Sequence, residues 1–329
     1  MLSNMGYMRS SLIDLPEAEG QLLATVILDP SGKKIIARGH RLERGDLQVL
    51  RQRGLQQVWV VELSPDDRGE DQVLGLLAPR VASGPWEVRP APGGRADLVA
   101  TERSALLVDP MRLAHFNSSG VAVLCTLPQF AMVEAGERFA TLRSYPFAAP
   151  AEAVEGLRQD LATTGPLLDL KPICDPRVTV IYADPANPER ARELFGPLVR
   201  RRAEMYGFTP QQRTALEEEP ALIAALKDSL RRTQELVLIA STISPLTPAD
   251  VIGRAIVAVG GRVAHFLVPV EPGSLLLLGY VGEMAIVAAT GCFRSPKQNL
   301  LDLLLPPLLA QHPLTPSSLA SLGLGGLRG

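Results

Sequence analysis

Short apolar runs recur along the second half of this chain, and the polar stretches between them carry apolar residues at intervals of three and four. The runs at 178–182, 236–240, 263–268, 275–278 and 285–289 predict strands. Between them the spacing predicts helices from Pro188 to about Tyr206, over 220–232 and over 248–259. Asn187-Pro188 supplies the cap and first-turn proline of the first, and Gly260-Gly261 stops the third. Strands alternating with helices call for a mainly parallel sheet covered on both faces, because parallel strands need crossover helices. Ligands of such sheets collect at the carboxyl ends of the strands.

The first half is less regular. Residues 22–28 predict a buried strand, Pro30-Ser31-Gly32 a turn, and 33–37 its hairpin partner. Leu47, Leu50 and Leu55 follow Asp46 near helical spacing, Gly54 closes that helix, and 57–62 predict another strand. Several prolines, a helix-like piece at 152–162 and Thr163-Thr164-Gly165-Pro166 mark a connection. The expected organisation is a flexible start over 1–20, a mixed α/β domain over 21–150, and a connection over 151–176. An α/β domain over 177–312 and a loose tail over 313–329 complete it.

At 329 residues, 46% of them hydrophobic, the chain can bury the cores of two domains, which excludes disorder over its whole length. A net charge of −2 offers no electrostatic reason to expect a nucleic-acid partner. Arg200-Arg201-Arg202 and Arg231-Arg232 read as solvated helix faces. Cys125, Cys174 and Cys292 are too widely spaced for a CxxC metal site and odd in number for a disulfide framework, which fits a reducing compartment. His40, His115, His265 and His312 share no motif, so no metal site is expected from them. No apolar run reaches the roughly 18 residues of a membrane span, and the expectation is an unexported, cytoplasmic protein.

Two segments carry candidate chemistry. In the first, Pro272-Gly273-Ser274 turns the chain into an apolar run, and the next run delivers Thr290-Gly291-Cys292-Phe293-Arg294-Ser295-Pro296-Lys297. Gly291 is expected to let the backbone leave its strand, Ser295 to cap a helix and Pro296 to open it. Arg294 and Lys297 then place cations beside amides that attract a compact anion. The second segment is Ser241, Thr242 and Ser244, leaving a strand ahead of Asp250. Hydroxyls and free amides in such a turn suit phosphate, and the carboxylate can orient a reacting group or a divalent ion. Thr247-Pro248-Ala249-Asp250 equally reads as a capping box, with Thr247 the cap and Asp250 its partner. Cys292 reads as a small core residue without chemistry.

The stretch from Glu271 to Asn299 resembles the molybdopterin-binding domain of molybdenum-cofactor biosynthesis proteins. Arg38-Gly39-His40-Arg41-Leu42, Asp46-Leu47, Leu50, Gly54-Leu55 and Val58-Trp59-Val60 are similar to the segment that precedes the cofactor domain in molybdopterin molybdotransferases. Residues 65–71, 94–100, 126–128 and 133–137 resemble parts of stand-alone molybdopterin-binding relatives. The resemblance implies a Rossmann-like, doubly wound α/β domain preceded by a smaller mixed one. It implies molybdopterin as ligand or substrate, bound by Ser241, Thr242, Ser244, Pro272, Gly273, Ser274, Gly291, Arg294, Ser295 and Lys297. It further implies Asp250 as the catalytic residue of a transferase, molybdate and Mg2+ as participants, and homo-oligomerisation. Two departures stand out: Ala240 and Ser241 lie where the molybdotransferases carry paired glycines, and Thr290 where relatives commonly carry proline. Three readings stay open: a protein that assists molybdate insertion, a carrier for a molybdenum hydroxylase, and a scaffold with a vestigial site.

Overall fold

The computed structural model describes residues 9–327. The strand Arg9–Asp14 pairs antiparallel with Gln57–Glu62, which also pairs with Leu22–Leu23. Leu15, Leu23, Leu42, Leu50, Val58 and Val60 fill the small core beneath, with Leu50 coming from the helix Arg44–Gln52. Within the expected flexible start, Arg9–Asp14 is an ordered edge strand and Leu15–Glu17 a single 3-10 turn; residues 1–8 lie outside the described residues. The run at 22–28 divides, and only Ile27–Leu28 forms a hairpin with Lys34–Ile36.

A second core lies between the four-stranded antiparallel sheet of Ala122–Thr126, Arg138–Ser144, Arg95–Ala100 and Trp86–Ala91 and its neighbours. Its neighbours include what the prolines suggested was a connection. Helix Ala151–Thr164 buries Val154, Leu157 and Leu161 in this core. Strand Leu168–Pro172 pairs along Ser104–Val108. Helical spacing of buried residues in the first and alternation in the second outweigh the flanking prolines, which sit at element ends where no amide hydrogen bond is required.

The second half is a six-stranded sheet. Its elements are β1 (Val178–Asp184), α1 (Pro188–Tyr206), β2 (Gln211–Leu216), α2 (Glu219–Arg231), β3 (Leu236–Ser241) and α3 (Val251–Ala258). They continue as β4 (Arg262–Phe266), β5 (Leu277–Val281), β6 (Met284–Ala289) and α4 (Leu300–Leu309). The strand order is β2-β1-β3-β6-β5-β4. β2, β1, β3 and β6 run parallel, whereas β5 runs antiparallel to both neighbours because a tight hairpin at Gly282 joins it to β6. The sheet is thus mixed and mostly parallel.

Alternation along the buried strands divides the core into two layers. Val178, Val180 and Tyr182 of β1 face Phe195 and Val199 of α1 and the leucines of α4. Ile181 and Ala183 face Leu222 and Leu226 of α2 and Ile252 and Ile256 of α3. Each fully buried Val, Leu or Ile contributes about 1.5–3 kcal/mol relative to exposure, so these layers fix the strand register. β2 escaped the sequence reading because it is an edge strand, Gln-Gln-Arg-Thr-Ala-Leu, that buries only Ala215.

The two halves share apolar packing. Phe130 is buried in the core of the α1 and α4 layer, with Leu107 and Met132 against it. The tail expected to be loose also packs there: Leu314 and Leu319 are buried, and the Leu314 amide donates to the Tyr280 hydroxyl at 2.9 Å. No described helix is long and apolar enough to cross a membrane.

Candidate functional site

The sheet order reverses between β1 and β3, and at that point their carboxyl ends are joined by side chains. The Thr242 hydroxyl donates to Asp184 Oδ2 at 2.7 Å. The other oxygen of Asp184 accepts the amides of Ala186 and Asn187 at 2.8 and 2.7 Å, and Arg190 Nε donates to Oδ2 at 3.0 Å. Burial of Asp184 works against its charge, but the Asn187 and Ala186 amides, Arg190 and Thr242 outweigh it and hold the carboxyl below the ordinary range. Neither Asp184 nor Glu217, which follows β2, was singled out from sequence. Asp184 falls just past the strand run predicted over 178–182, and β2 was not among the predicted strands.

Ser241 Oγ lies 2.6 Å from Glu217 Oε2 and 2.7 Å from the Ile243 carbonyl, and it accepts the Ile243 amide at 2.9 Å. A hydroxyl has one proton, so it cannot donate to both oxygens. If Ser241 donates to the carbonyl and a protonated Glu217 donates to Ser241, every group is satisfied. Burial, chiefly, together with the charges of Asp250 and Asp184, pushes the Glu217 carboxyl up, which favours that arrangement; the Ser241 bond opposes it.

Asp250 is itself the N-cap of α3. Its Oδ1 accepts the amides of Ile252 and Gly253 at 3.2 and 3.1 Å. The helix therefore begins at Val251, three residues later than expected, and Thr247 is not its cap. Thr247 Oγ1 instead accepts the Ala249 amide at 3.2 Å, closing a turn before the helix. Ser244 is partly buried in the loop between.

The loop after β6 differs from its sequence reading. Gly291–Arg294 form one helical turn that ends at Ser295, and Pro296 and Lys297 are not helical. The cap of the next helix is Asn299, whose Oδ1 accepts the Leu301 amide while Asp302 Oδ2 accepts the Asn299 amide, both at 3.0 Å. A Cβ on Gly291 would meet nothing within 4 Å, so no steric need explains that glycine. Gly273 is the constrained one: at φ +125° its Cβ would lie 2.7 Å from Leu300 Cβ and 2.9 Å from Cys292 Sγ. That contact, and the Leu300 amide bonded to the Pro272 carbonyl at 3.2 Å, bring Pro272 and Gly273 against the loop. Ser274 turns aside to Glu271. Arg294 and Lys297 are exposed, and neither side chain has an ion-pair partner among the described residues.

Between β6 and this loop stands Thr290, buried, with its hydroxyl unpartnered. Such a group is uncommon in a folded protein. Because Ala240 of β3 is paired with Ala289 of β6, Thr290 follows next to Ser241. Ser241, Thr242 and Thr290 thus line adjacent strand ends, while Ser295 is drawn away toward α1, where Arg202 donates to its carbonyl at 3.2 Å. Arg202 is buried, which corrects its reading as part of a solvated face. Burial pushes the Cys292 thiol up to about 11, leaving it a poor nucleophile at neutral pH.

The donors present do not assemble a divalent-ion site. Both oxygens of Asp184 are occupied by hydrogen-bond donors, one oxygen of Asp250 caps α3, and no group of three His, Cys, Asp or Glu among the described residues is placed to hold a metal ion. A cavity of 240 Å3 lined by Glu235, Arg262, Tyr280 and His312 opens at the opposite end of the sheet.

No family model matches the chain, and no curated protein matches it. Among solved structures it is similar to the molybdopterin biosynthesis MoeA protein from Pyrococcus horikosii, with 12% identity over 92% of this chain and 75% of that one and a TM-score of 0.31. It is also similar to a molybdenum cofactor biosynthesis protein B, with 13% identity over 42% of this chain and 95% of that one and a TM-score of 0.31. A third is the molybdopterin biosynthesis Mog protein from Mycobacterium ulcerans, with 19% identity over 37% of this chain and 85% of that one and a TM-score of 0.27. Superpositions this loose establish neither membership of a family nor an activity.

Proposed function

We propose that this protein binds molybdopterin at the strand ends of its second half, through Thr242, Thr290 and the cations Arg294 and Lys297. The observation that carries the reading is the unpaired, buried Thr290 hydroxyl beside the Ser241-Thr242 turn. It lies where a doubly wound sheet receives its ligand, just past the end of β6 and ahead of Arg294 and Lys297, which have no ion-pair partner among the described residues. The sequence resemblance from Glu271 to Asn299 supplies the identity of the ligand. A pyranopterin phosphate offers the anion that Arg294 and Lys297 suit and the hydrogen-bonding ring that hydroxyls suit.

Asp250 spends one carboxylate oxygen on the cap of α3, which favours holding the pterin for another protein, such as a molybdenum hydroxylase, over inserting molybdate into it. Anaerobic titration of the full chain with molybdopterin tests the binding. Arg294→Ala and Lys297→Ala should each weaken it about tenfold or more, since a charge-assisted contact is worth about 1.5–3 kcal/mol, with melting points unchanged. Absence of binding, or unchanged affinity in both variants, overturns the reading. Molybdate-dependent conversion of the bound pterin that is lost in Asp250→Asn would establish an enzyme in place of a carrier.

A further inference from the structure

We infer that a second ligand site, for a small organic anion with an apolar body, lies between α1 and the loop before α4. A cavity of 240 Å3 is lined there by Leu198, Arg201, Arg202 and Met205 of α1, with Pro296, Gln298 and Asp302 opposite. Its chemistry is amphipathic: Leu198, Met205 and Pro296 give apolar contact, and two guanidinium groups and an amide give donors.

The charge on this wall is not balanced internally. Arg202 is buried and uses Nε and Nη2 to hold Asp302 and the Ser295 carbonyl; none of its hydrogen bonds uses Nη1. Nη1 is not fully enclosed, so a narrow edge of the guanidinium is left toward the cavity. Arg201 has no ion pair or hydrogen bond among the described residues, and the neighbouring Arg200, Arg294 and Lys297 have no ion pair either. One carboxylate, Asp302, thus lines the cavity with two arginines, and both its oxygens are already engaged, by Arg202 at two points and by the Asn299 amide. An incoming carboxylate or phosphate monoester would meet a rigid buried donor edge and a mobile exposed one, a combination that fixes orientation at low ordering cost.

The cavity lies on the α1 side of the same loop that carries Arg294 and Lys297, and Arg201, which the pterin reading does not use, tells the two apart. Calorimetric titration of the full chain with phenyl phosphate, benzoate, inorganic phosphate and neutral benzyl alcohol tests it. Phenyl phosphate or benzoate should bind, whichever binds more tightly naming the anion. The aromatic phosphate should exceed inorganic phosphate about fivefold through apolar burial, and benzyl alcohol should not bind. Arg201→Ala should weaken binding about tenfold or more, and Arg201→Lys should restore part of it. Lys227→Ala, an exposed charge on α2, should change nothing. Absence of binding by both aromatic anions, unchanged affinity in Arg201→Ala, or a loss confined to Arg294→Ala and Lys297→Ala would overturn the assignment.

Discussion

Arg202 and Asp302, 100 residues apart, form a two-point ion pair inside the protein, Nε to Oδ1 at 2.9 Å and Nη2 to Oδ2 at 3.0 Å. Asp302 Oδ2 also accepts the Asn299 amide, and the Tyr206 hydroxyl donates to the Asp302 carbonyl at 3.1 Å. One carboxylate therefore anchors α1, the cap of α4 and the loop that carries Lys297. Asp302→Ala should cost about 3–5 kcal/mol in chemical denaturation, because it leaves Arg202 buried and unpaired. Adding Arg202→Met should cost less than its own single effect. Strict additivity would show that the two residues act independently.

The two candidate glycines should respond in opposite ways. Gly273→Ala forces a side chain into a left-handed backbone and against Leu300 and Cys292, which should lower stability by about 1–3 kcal/mol. Gly291→Ala places a methyl group in open space on a helical turn and should be neutral or stabilising by up to about 1 kcal/mol. Thermal melts of the two variants decide it; equal losses would refute the assignment of strain to Gly273.

Glu217 should make folding sensitive to rising pH. Its carboxyl is raised in the folded state, so its contribution is fully present below the ordinary carboxylate range and is lost as pH climbs through the folded value. Glu217→Gln keeps a donor toward Ser241 and removes the titration. The melting point of the variant relative to the native protein should therefore rise between pH 5 and pH 8. A difference that stays flat across that range would mean Glu217 does not titrate there.

Asp184 carries the opposite sign. Its carboxyl is depressed, so its stabilising effect is present above the ordinary range and fades as pH falls below it. Asp184→Asn should lose about 1–3 kcal/mol at pH 7 through weakened bonds to Thr242, Arg190 and two amides. That deficit should shrink on acidification toward pH 3. A deficit that grows in acid would contradict a folded-state carboxylate.

The alternating layers of β1, β3 and β6 were legible because buried strands are written as apolar runs, and α1 because Asn187-Pro188 states its start. Loop chemistry was harder to read. Thr247-Pro248 and Ser295-Pro296 both look like helix openings, yet the helices begin after Asp250 and Asn299, whose side chains reach the free amides. The local signal was present in both cases, and tertiary contacts selected the later cap; for Asn299 the selecting contact is Asp302 held by Arg202. Asp184 and Glu217 escaped notice because each matters through a residue far along the chain, Thr242 and Ser241 respectively. The candidate residues Ser241 and Thr242 do reach a strand-end junction, but through partners that spacing alone does not reveal.

The packing of Phe130 against α1 and α4 bears on how a ligand could enter. The Arg103 guanidinium occupies the space beside Gly207 so closely that a Cβ there would lie 1.6 Å from Nη1, and Phe130 is wedged into the apolar layer nearby. Swinging the first half away from the second would strip both contacts and expose the apolar layer that Phe130 covers. The turns around Ile243 and Leu246, whose side chains stand in solvent, are the parts of the strand-end rim that can adjust without disturbing that packing. Binding kinetics should follow the stiffness of those few residues, and a proline or a longer turn placed there would act as a gate setting.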